Sequence, residues 1–592
     1  MRFVLIVVAI VMGAWLWLQA CSEKQPPINR VHLQVQTNLT ALQNWYAKEW
    51  LPLLQQGKKQ QLQQAFLRGR KAYKKVEWAV AYFFPATAKE LNGPPVPEIE
   101  AAEHLVFPPS GFQVLETFVF PFKEESRVAL QQESKKWESI LFRLQTLWAG
   151  HQMRDDQVWD AARLQLLRIT ALDLAGFDTP LSLAAITEIK ANLQGVEAAL
   201  SVYDNAAAPF KTLQNAFEKA YAFADSQPHF NAFDRMHFIQ QYLQPLGRQL
   251  VQVQQMLQIP FSTIHALSGR AATFFDSAAF NINFFTPGTA SFVTAEKVAL
   301  GRQLFGDAIL SSNGTTCASC HHTGKAFTDG LTKSRAFGES TFLQRNTPTL
   351  LYAGLQQAQF YDMRATYLED QVKNVIDSKD EMHGSLEVAA RKLSADKVYV
   401  KMFQKAFKDG AEAVDEYKVQ AALAAYIRSL APFTSRFDQH MRGCNVLTSD
   451  EIKGFNLFMG KAKCGSCHFM PLFNGTVPPQ FSKTESEVIG VPADAGFKKP
   501  DADEGRYSIH QVAEFRGAFK TPTLRNIGRT APYMHNGVYK TLEEVMDFYN
   551  EGGAAGRQHP LPNQTLAPDK LQLSKKEIEQ IILFLHTLTD AP

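Results

Sequence analysis

Two short stretches, "CASCH" at 317–321 and "CGSCH" at 464–468, carry the densest reactive chemistry in the chain. Each joins two thiols to an imidazole within five positions. A zinc ribbon needs its two CxxC pairs about 15–20 residues apart, so that four thiolates meet on one metal. Here Cys317 and Cys464 stand 147 positions apart. A thioredoxin-type dithiol needs a βαβ setting and has no use for the histidine that follows. CxxCH, twice, is the attachment pattern of haem c. Cys317, Cys320, Cys464 and Cys467 are expected to form thioethers to the vinyl groups, with His321 and His468 as axial iron ligands. Two covalent haems follow. His322 is read as a polar neighbour, because consecutive side chains cannot reach one iron.

Whether such a haem carries electrons or does chemistry depends on its sixth position. Two strong protein ligands make an electron shuttle, whereas an open position admits peroxide or oxygen. The elements around the motifs bear on this, because they repeat. "TAEKVALGRQLFGDAILSSNGTTCASCH" at 294–321 matches "TSDEIKGFNLFMGKAKCGSCH" at 448–468, each with a Thr-led helix start and a glycine before an apolar pair. "TPTL" at 347–350 recurs at 521–524 and Leu368-Glu369 recurs as Leu542-Glu543, both at an offset of 174. A repeat this long indicates duplicated domains. In "KTLEEVMDFYNEGG", Thr541 and Glu544 form a capping box, and Leu542, Val545, Met546 and Tyr549 fall on one helix face. Tyr549 aligns with Val375 in the first copy, which cannot bind iron. One copy therefore offers a distal ligand that the other lacks, with Met534 and Met546 as rivals to Tyr549.

The rest of the chain is of another kind. From about 31 to 270 the pattern is helical. In "KWESILFRLQTLWAG", Trp137, Ile140, Leu141, Leu144, Leu147 and Trp148 recur on one face. "FFDSAAFNINFFTPGTASF" at 274–292 reads as a linker. The expected fold class is mainly α: an N-terminal helical bundle followed by two tandem cytochrome c-type haem domains. The expected boundaries are 1–20 signal, 21–275 helical, 276–440 first haem domain and 441–592 second.

Length and composition fit this division. The 592 residues suit three or four domains, and 45% hydrophobic with 20% charged residues is ordinary for a globular protein. Lys+Arg 61 against Asp+Glu 58 leaves a net charge of only +3 and no footprint for nucleic acid. Arg2 precedes the apolar run "FVLIVVAIVMGAWLWLQ", which ends in "LQAC" at Cys21. A basic start, an apolar stretch and small residues before a cut make a secretory signal. Cysteine at the cut resembles a bacterial lipobox, so Cys21 is expected to be lipidated and the protein periplasmic and membrane-tethered. Ser22 favours the outer membrane under the enterobacterial sorting rule. Of six cysteines, Cys444 alone is left without a role, as a buried or idle thiol.

"LGRQLFGDAILSSNGTTCASCH", "RNTPTLLYAG", "LEDQVKNVIDSKDEM", "FKTPTLRNIGRTAPYMHNGVYKTLEEV" and "LSKKEIEQIILFLHTL" resemble the bacterial dihaem cytochrome c peroxidase and MauG family. The likeness covers about residues 290–590. It implies a peroxidatic haem on the first CxxCH, an electron-transfer haem on the second and one Ca²⁺ between them. By motif, Glu381 matches the distal carboxylate that moves peroxide protons, and Gln371 matches an amide shaping that pocket. Asn346 matches a calcium side-chain ligand, with Thr530 and Pro532 binding through backbone carbonyls. The implied activity is reduction of hydrogen peroxide by electrons from a small cytochrome c or similar donor, in a chain that forms homodimers. The alternatives are a MauG-like oxidase of a protein or organic substrate, and a non-catalytic electron-transfer or redox-sensing lipoprotein.

Three departures from the peroxidase pattern matter. The loop after the first CxxCH, "TGKAFTDGLTKSRAFGES", has no histidine to close the first haem. Tyr549 stands where peroxidases have a methionine and MauG a tyrosine. "YDMRA" puts Tyr361 at the aromatic relay position usually held by tryptophan. Arg364 and Arg525 are candidates for haem propionates or for salt bridges. The N-terminal half also resembles imelysin-like domains, through "GFQVLETFVF" and "AGFDTP", with Gly111, Gln113 and Glu116 on their GxHxxE motif. Glutamine replaces the histidine there.

Overall fold

The computed structural model describes residues 25–100, 103–336, 341–408 and 414–591. The signal 1–20 and Cys21 lie outside the described residues. The described chain is mainly helical. Its strands are two short antiparallel ribbons, Glu98–Glu100 with Leu105–Phe107 and Ser486–Glu487 with Phe519–Lys520. No helix among the described residues is long and apolar enough to cross a membrane.

The repeat is built on two helix crossings. Ala295–Phe305 opens the first copy and crosses Glu416–Arg428; Ser449–Met459 opens the second and crosses Lys575–His586. Thr294 and Thr448 cap the opening helices, accepting from the Lys297 and Glu451 amides at 3.2 and 3.3 Å. The glycine before the apolar pair now has a reason. A methyl on Gly301 would strike the Ala422 carbonyl and Tyr426 Cβ (2.9 Å), and one on Gly454 the Gln580 carbonyl and Phe584 Cβ (2.8 Å). Only glycine lets these backbones touch. The middle helices, Leu368–Asp377 and Leu542–Asn550, begin at positions 174 apart, and the Thr541–Glu544 capping box is present.

The two copies are tied by a reciprocal pair of backbone bonds. The Asn346 amide donates to the His535 carbonyl and the Lys520 amide to the Tyr361 carbonyl, both at 2.7 Å. Donors and acceptors are each 174 positions apart. Local pseudo-twofold symmetry therefore relates Asn346 to Lys520 and Tyr361 to His535.

The N-terminal half shares one continuous core with the second copy, whereas the first copy has its own. The helix Arg127–Ala149 buries Trp137, Ile140, Leu141, Leu144 and Trp148, but Leu147 faces outward at 44% exposure. The stretch at 274–292 is no slack linker. Six phenylalanines make it too apolar to stay in water. Phe275 packs on Phe437, Phe274 on Phe481, and Phe280 stacks on Phe433 at 5.5 Å. Cys444 is a free, exposed thiol rather than a buried one.

At the centre of the N-terminal helices lies a buried ionic cluster. The Lys74 ammonium bonds Glu77 at 2.8 Å, Asp173 at 3.1 Å and Asp178. Arg70 forks onto Glu188 at 2.7 and 2.9 Å, and Arg168 reaches Asp178 at 3.0 Å. Burial raises the Asp173 carboxyl to about 6 against the pull of Lys74. Beside this cluster the turn Asp173–Ala175 packs on Cys464–Ser466. Phe177 meets Phe469 at 5.7 Å and the Lys463 ammonium donates to the Pro180 carbonyl at 3.2 Å.

Gly301→Ala and Gly454→Ala should each destabilise the protein by about 1–3 kcal/mol through overpacking at a helix crossing. The loss should appear as a lower denaturant midpoint. Gly314→Ala, where nothing lies within 4 Å of the added methyl, is unsuitable as a control because its φ is +82°. Gly150→Ala, with open space and ordinary φ, should leave the midpoint unchanged.

Candidate haem centres

Both CxxCH segments fold alike. Each begins on a 3₁₀ turn, Cys317–Ser319 or Cys464–Ser466, and the histidine amide returns to the first cysteine carbonyl at 3.0 and 2.9 Å. His321 Nδ1 donates to the Phe327 carbonyl at 2.8 Å. His468 Nδ1 lies 3.2 Å from the Phe473 carbonyl and 3.1 Å from that of Pro522. A carbonyl can only accept, so each ring carries its proton on Nδ1 and presents a bare Nε2. That is the tautomer a metal requires. Burial holds both imidazoles neutral, lowering His321 and bringing His468 down to about 4. The four cysteines are free, and burial pushes the Cys317 and Cys464 thiols up to about 12.

A cavity of about 900 Å³ opens on Cys464, Cys467 and His468. Its walls also include Tyr549, Met534 and Met546 from the second copy, and Tyr361, Gln371 and Asn346 from the first. Thr530 and Pro532 border the same space. Two thiols, a bare imidazole nitrogen and a roomy apolar cavity fit a c-type haem; His321, Cys317 and Cys320 offer the same donor set.

Glu381 comes to the first motif. The turn at 378–384 closes through Glu381 and His383 amides on the Ser378 carbonyl, at 3.2 and 2.8 Å. Asn313 and Ser312, just before the motif, grip it by the Glu381 and His383 carbonyls. The Glu381 carboxylate acts on both Cys317 and Cys320. Burial raises the Glu381 carboxyl above its ordinary 4.5, and Arg364 partly counters this. Gln371, on the middle helix, faces the cavity shared with His468. Tyr361 is half-buried between the copies, and desolvation raises its phenol.

Tyr549 turns toward the second motif. Burial raises its phenol first, then the Cys467 and Cys464 thiols and Glu487. Asn346 donates its side-chain amide to the Leu331 carbonyl at 2.8 Å, which directs its oxygen the other way. Arg525 and Arg364 both have carboxylate partners. Arg525 forks onto Asp438 at 2.8 and 2.9 Å, fully buried, and Arg364 holds Asp362 at 2.7 Å.

The imelysin-like positions are occupied otherwise. Gln113 donates to the Asn92 carbonyl at 2.8 Å, and Glu116 accepts from the Ser182 amide at 2.9 Å. Glu77, Asp173 and Asp178 place carboxylate oxygens within 4.8 Å of one another, with the Lys74 ammonium bonded to all three. Sequence reasoning missed two residues at the second motif. Glu487 is half-buried, and desolvation, helped by Glu485, pushes its carboxyl up to about 7 against its bonds to Thr565 and Cys467. Lys520 lines the cavity. The repeat held the signal for Lys520, since it aligns with Asn346.

Residues 295–445 match the family described as di-haem cytochrome c peroxidase. The methylamine utilization protein MauG of Methylorubrum extorquens is 34% identical over 302 residues, which are 51% of this chain and 80% of that protein. The cytochrome c551 peroxidase of Nitrosomonas europaea is 32% identical over 301 residues, 50% of this chain and 80% of that one. A solved MauG-like protein associated with microbial copper homeostasis aligns with a TM-score of 0.44 at 31% identity, covering 52% of this chain and 94% of that one. The class these matches define is that of the di-haem cytochrome c peroxidases and MauG proteins. The chain belongs to the dihaem cytochrome c peroxidase and MauG family.

Replacing Cys464 and Cys467 together by alanine should halve the covalent haem per chain, and replacing Cys317 and Cys320 should do the same. A pyridine haemochrome assay on denatured protein counts the haem.

Proposed function

We propose that this protein reduces hydrogen peroxide to water at the first CxxCH copy, with electrons supplied by a small redox protein such as a cytochrome c. The observation that carries this reading is Glu381: a half-buried carboxyl, raised in pKa by desolvation, beside Cys317 and Cys320, in the copy whose middle helix has Val375 where the other has Tyr549. Haem c, when bound, supplies the redox chemistry. The chain supplies proton control. Each H₂O₂ takes up two electrons and two protons to give two waters. Glu381 accepts the proton of one peroxide oxygen and returns it to the departing one. Arg364 steadies its charged form, while Gln371, expected in the same pocket, lines the cavity on the His468 side instead.

The reading extends to the chain's organisation: a helical domain at 21–275, haem domains at 276–440 and 441–592, export, lipidation at Cys21 and homodimer formation. Asn346, Thr530 and Pro532 bordering one cavity support a Ca²⁺ site of hard oxygen donors between the copies. Tyr361 is the proposed relay between them.

Tyr549 favours a second reading, a MauG-like oxidase acting on a protein or organic substrate. An anionic oxygen ligand stabilises ferric iron and suits holding oxidising equivalents rather than passing electrons on quickly. Burial alone disfavours the phenolate, so ligation depends on the charge of the iron.

Glu381→Gln should slow the reaction with peroxide by about 10²–10⁴-fold in stopped-flow, with haem content intact. Because burial raises the Glu381 pKa, the base form is lost as pH falls through a value above 4.5. The wild-type rate should therefore have an acid limb above the ordinary carboxylate range, absent in Glu381→Gln. Unchanged peroxide reactivity in that variant would remove Glu381 from the chemistry. Rapid oxidation of reduced cytochrome supports the peroxidase; a long-lived oxidised species without donor turnover supports the oxidase. Tyr549→Phe should alter the optical spectrum of the second haem and raise its reduction potential; an unchanged spectrum means Tyr549 is not a ligand.

A further inference from the structure

Lys520 faces the cavity beside His468 without a carboxylate partner among the described residues. It sits on the ribbon strand Phe519–Lys520, paired with Ser486, and its backbone amide is fixed to the Tyr361 carbonyl. Its ammonium donates to one neutral acceptor, the Ala358 carbonyl, at 3.2 Å. No carboxylate among the described residues lies within ion-pair distance of it. The acid that acts on it, Asp362, is already held by Arg345 and by Arg364 at 2.7 Å. Glu487 is on the next ribbon strand, paired with Phe519, and its side chain goes to Thr565 and Cys467. Burial accordingly drives the Lys520 ammonium down to about 8.

An isolated ammonium is costly to bury unless something pairs with it. The open side of Lys520 is the cavity that also holds His468 and Tyr361. Whatever fills that cavity must bring the missing negative charge. Two residues further along, the Pro522 carbonyl meets His468 Nδ1, so one short segment runs from the axial histidine to this ammonium. Of the other cations near the copies' junction, Arg525 is held by Asp438, Arg364 by Asp362, and Arg345 by Asp362 and Asp503, while Arg529 and Arg506 lie elsewhere, on the Gly324 carbonyl and the Ser486 hydroxyl. The pseudo-twofold adds a second line. Lys520 occupies in the second copy the place of Asn346 in the first. The same point of the fold thus takes an oxygen donor on one side and a positive charge on the other.

We infer that Lys520 binds a carboxylate carried by the cofactor at His468, a haem propionate, and by its charge raises the reduction potential of that haem. This rests on His468 holding a haem. The ammonium would hold that carboxylate on the cavity wall that Lys520 shares with Tyr361 of the first copy. It acts as a positioning and tuning residue, touching neither peroxide nor iron. A free carboxylate-bearing molecule would satisfy the same ammonium, and the test separates the two sources.

The test is a spectroelectrochemical titration of the holoprotein and its Lys520→Met and Lys520→Arg variants, with haem counted independently. Two haems per chain in every variant secures the underlying assignment; one haem in the wild type would overturn that assignment instead. With two haems present, Lys520→Met should raise the ferric-to-ferrous ratio of the second haem at least tenfold at fixed potential, about 59 mV for a one-electron couple. Lys520→Arg should stay within about threefold of wild type, and the first haem should move less than the second. An unmoved second haem in Lys520→Met, at full haem content, overturns the inference. Wild-type titrations with and without acetate form the second arm. Potentials indifferent to acetate support the propionate, whereas a Lys520-dependent response to acetate assigns the ammonium to a free carboxylate. If Lys520→Met does not mature, Lys520→Arg is still decisive. The propionate bending band in its resonance Raman spectrum should shift, and an unchanged band counts against the contact.

Discussion

The carbonyls that take the Nδ1 protons of His321 and His468 constrain everything around them. A histidine offers iron only one nitrogen, and which one is settled by what the other is bonded to. The Phe327 carbonyl does this six residues after His321, through a tight local turn. For His468 the work is divided between Phe473, nearby in sequence, and Pro522, more than fifty residues away. The second site is therefore fixed by tertiary structure that the first does without. Through Pro522 the ring is joined to the segment that also carries Lys520 and Arg525, and so to the junction of the two copies.

Duplicated units need not keep equal duties. Both copies retain the glycine crossing, the capped opening helix and the CxxCH turn, which are requirements of folding. They differ where chemistry would differ. Val375 and Tyr549 share a helix position, as do Asn346 and Lys520, and Tyr361 and His535. The first copy gains a half-buried carboxyl, Glu381, from a loop gripped by the residues just before its motif. The second gains Glu487, Lys520 and the whole N-terminal half as a neighbour.

Local features were legible in the sequence. The CxxCH turns, the Thr541–Glu544 cap, the 174-residue offset and the glycine before the apolar pair depend on neighbours in the chain, and periodicity or spacing reveals them. Glu381 was legible only through family likeness, whereas the repeat already set Tyr549 against Val375 and the likeness chose it over Met534 and Met546; each lies beside the motif it was assigned to. What stayed hidden depends on distant partners. The phenylalanine-rich stretch at 274–292 read as a linker because its packing partners, Phe433, Phe437 and Phe481, lie far along the chain. The Lys74 cluster draws its acids from positions 77, 173 and 178, with no motif to announce it. Lys520 was invisible as an unpaired charge, because pairing is a property of surroundings rather than of sequence.

The contact between the N-terminal half and the second motif also orders events in time. Ala175 stands against Gly465, 3.3 Å from where a methyl would project, and Phe177 covers Phe469 beside His468. Thioether formation needs Cys464 and Cys467 exposed to the machinery that presents haem. With the N-terminal half docked, the cavity that opens on Cys464, Cys467 and His468 is the way in; with it undocked, the motif also stands open on the Ala175 and Phe177 side. Loading before docking is the less hindered order, so the half of the chain that leaves the ribosome first completes its packing with least obstruction after residues nearly three hundred positions later have been loaded.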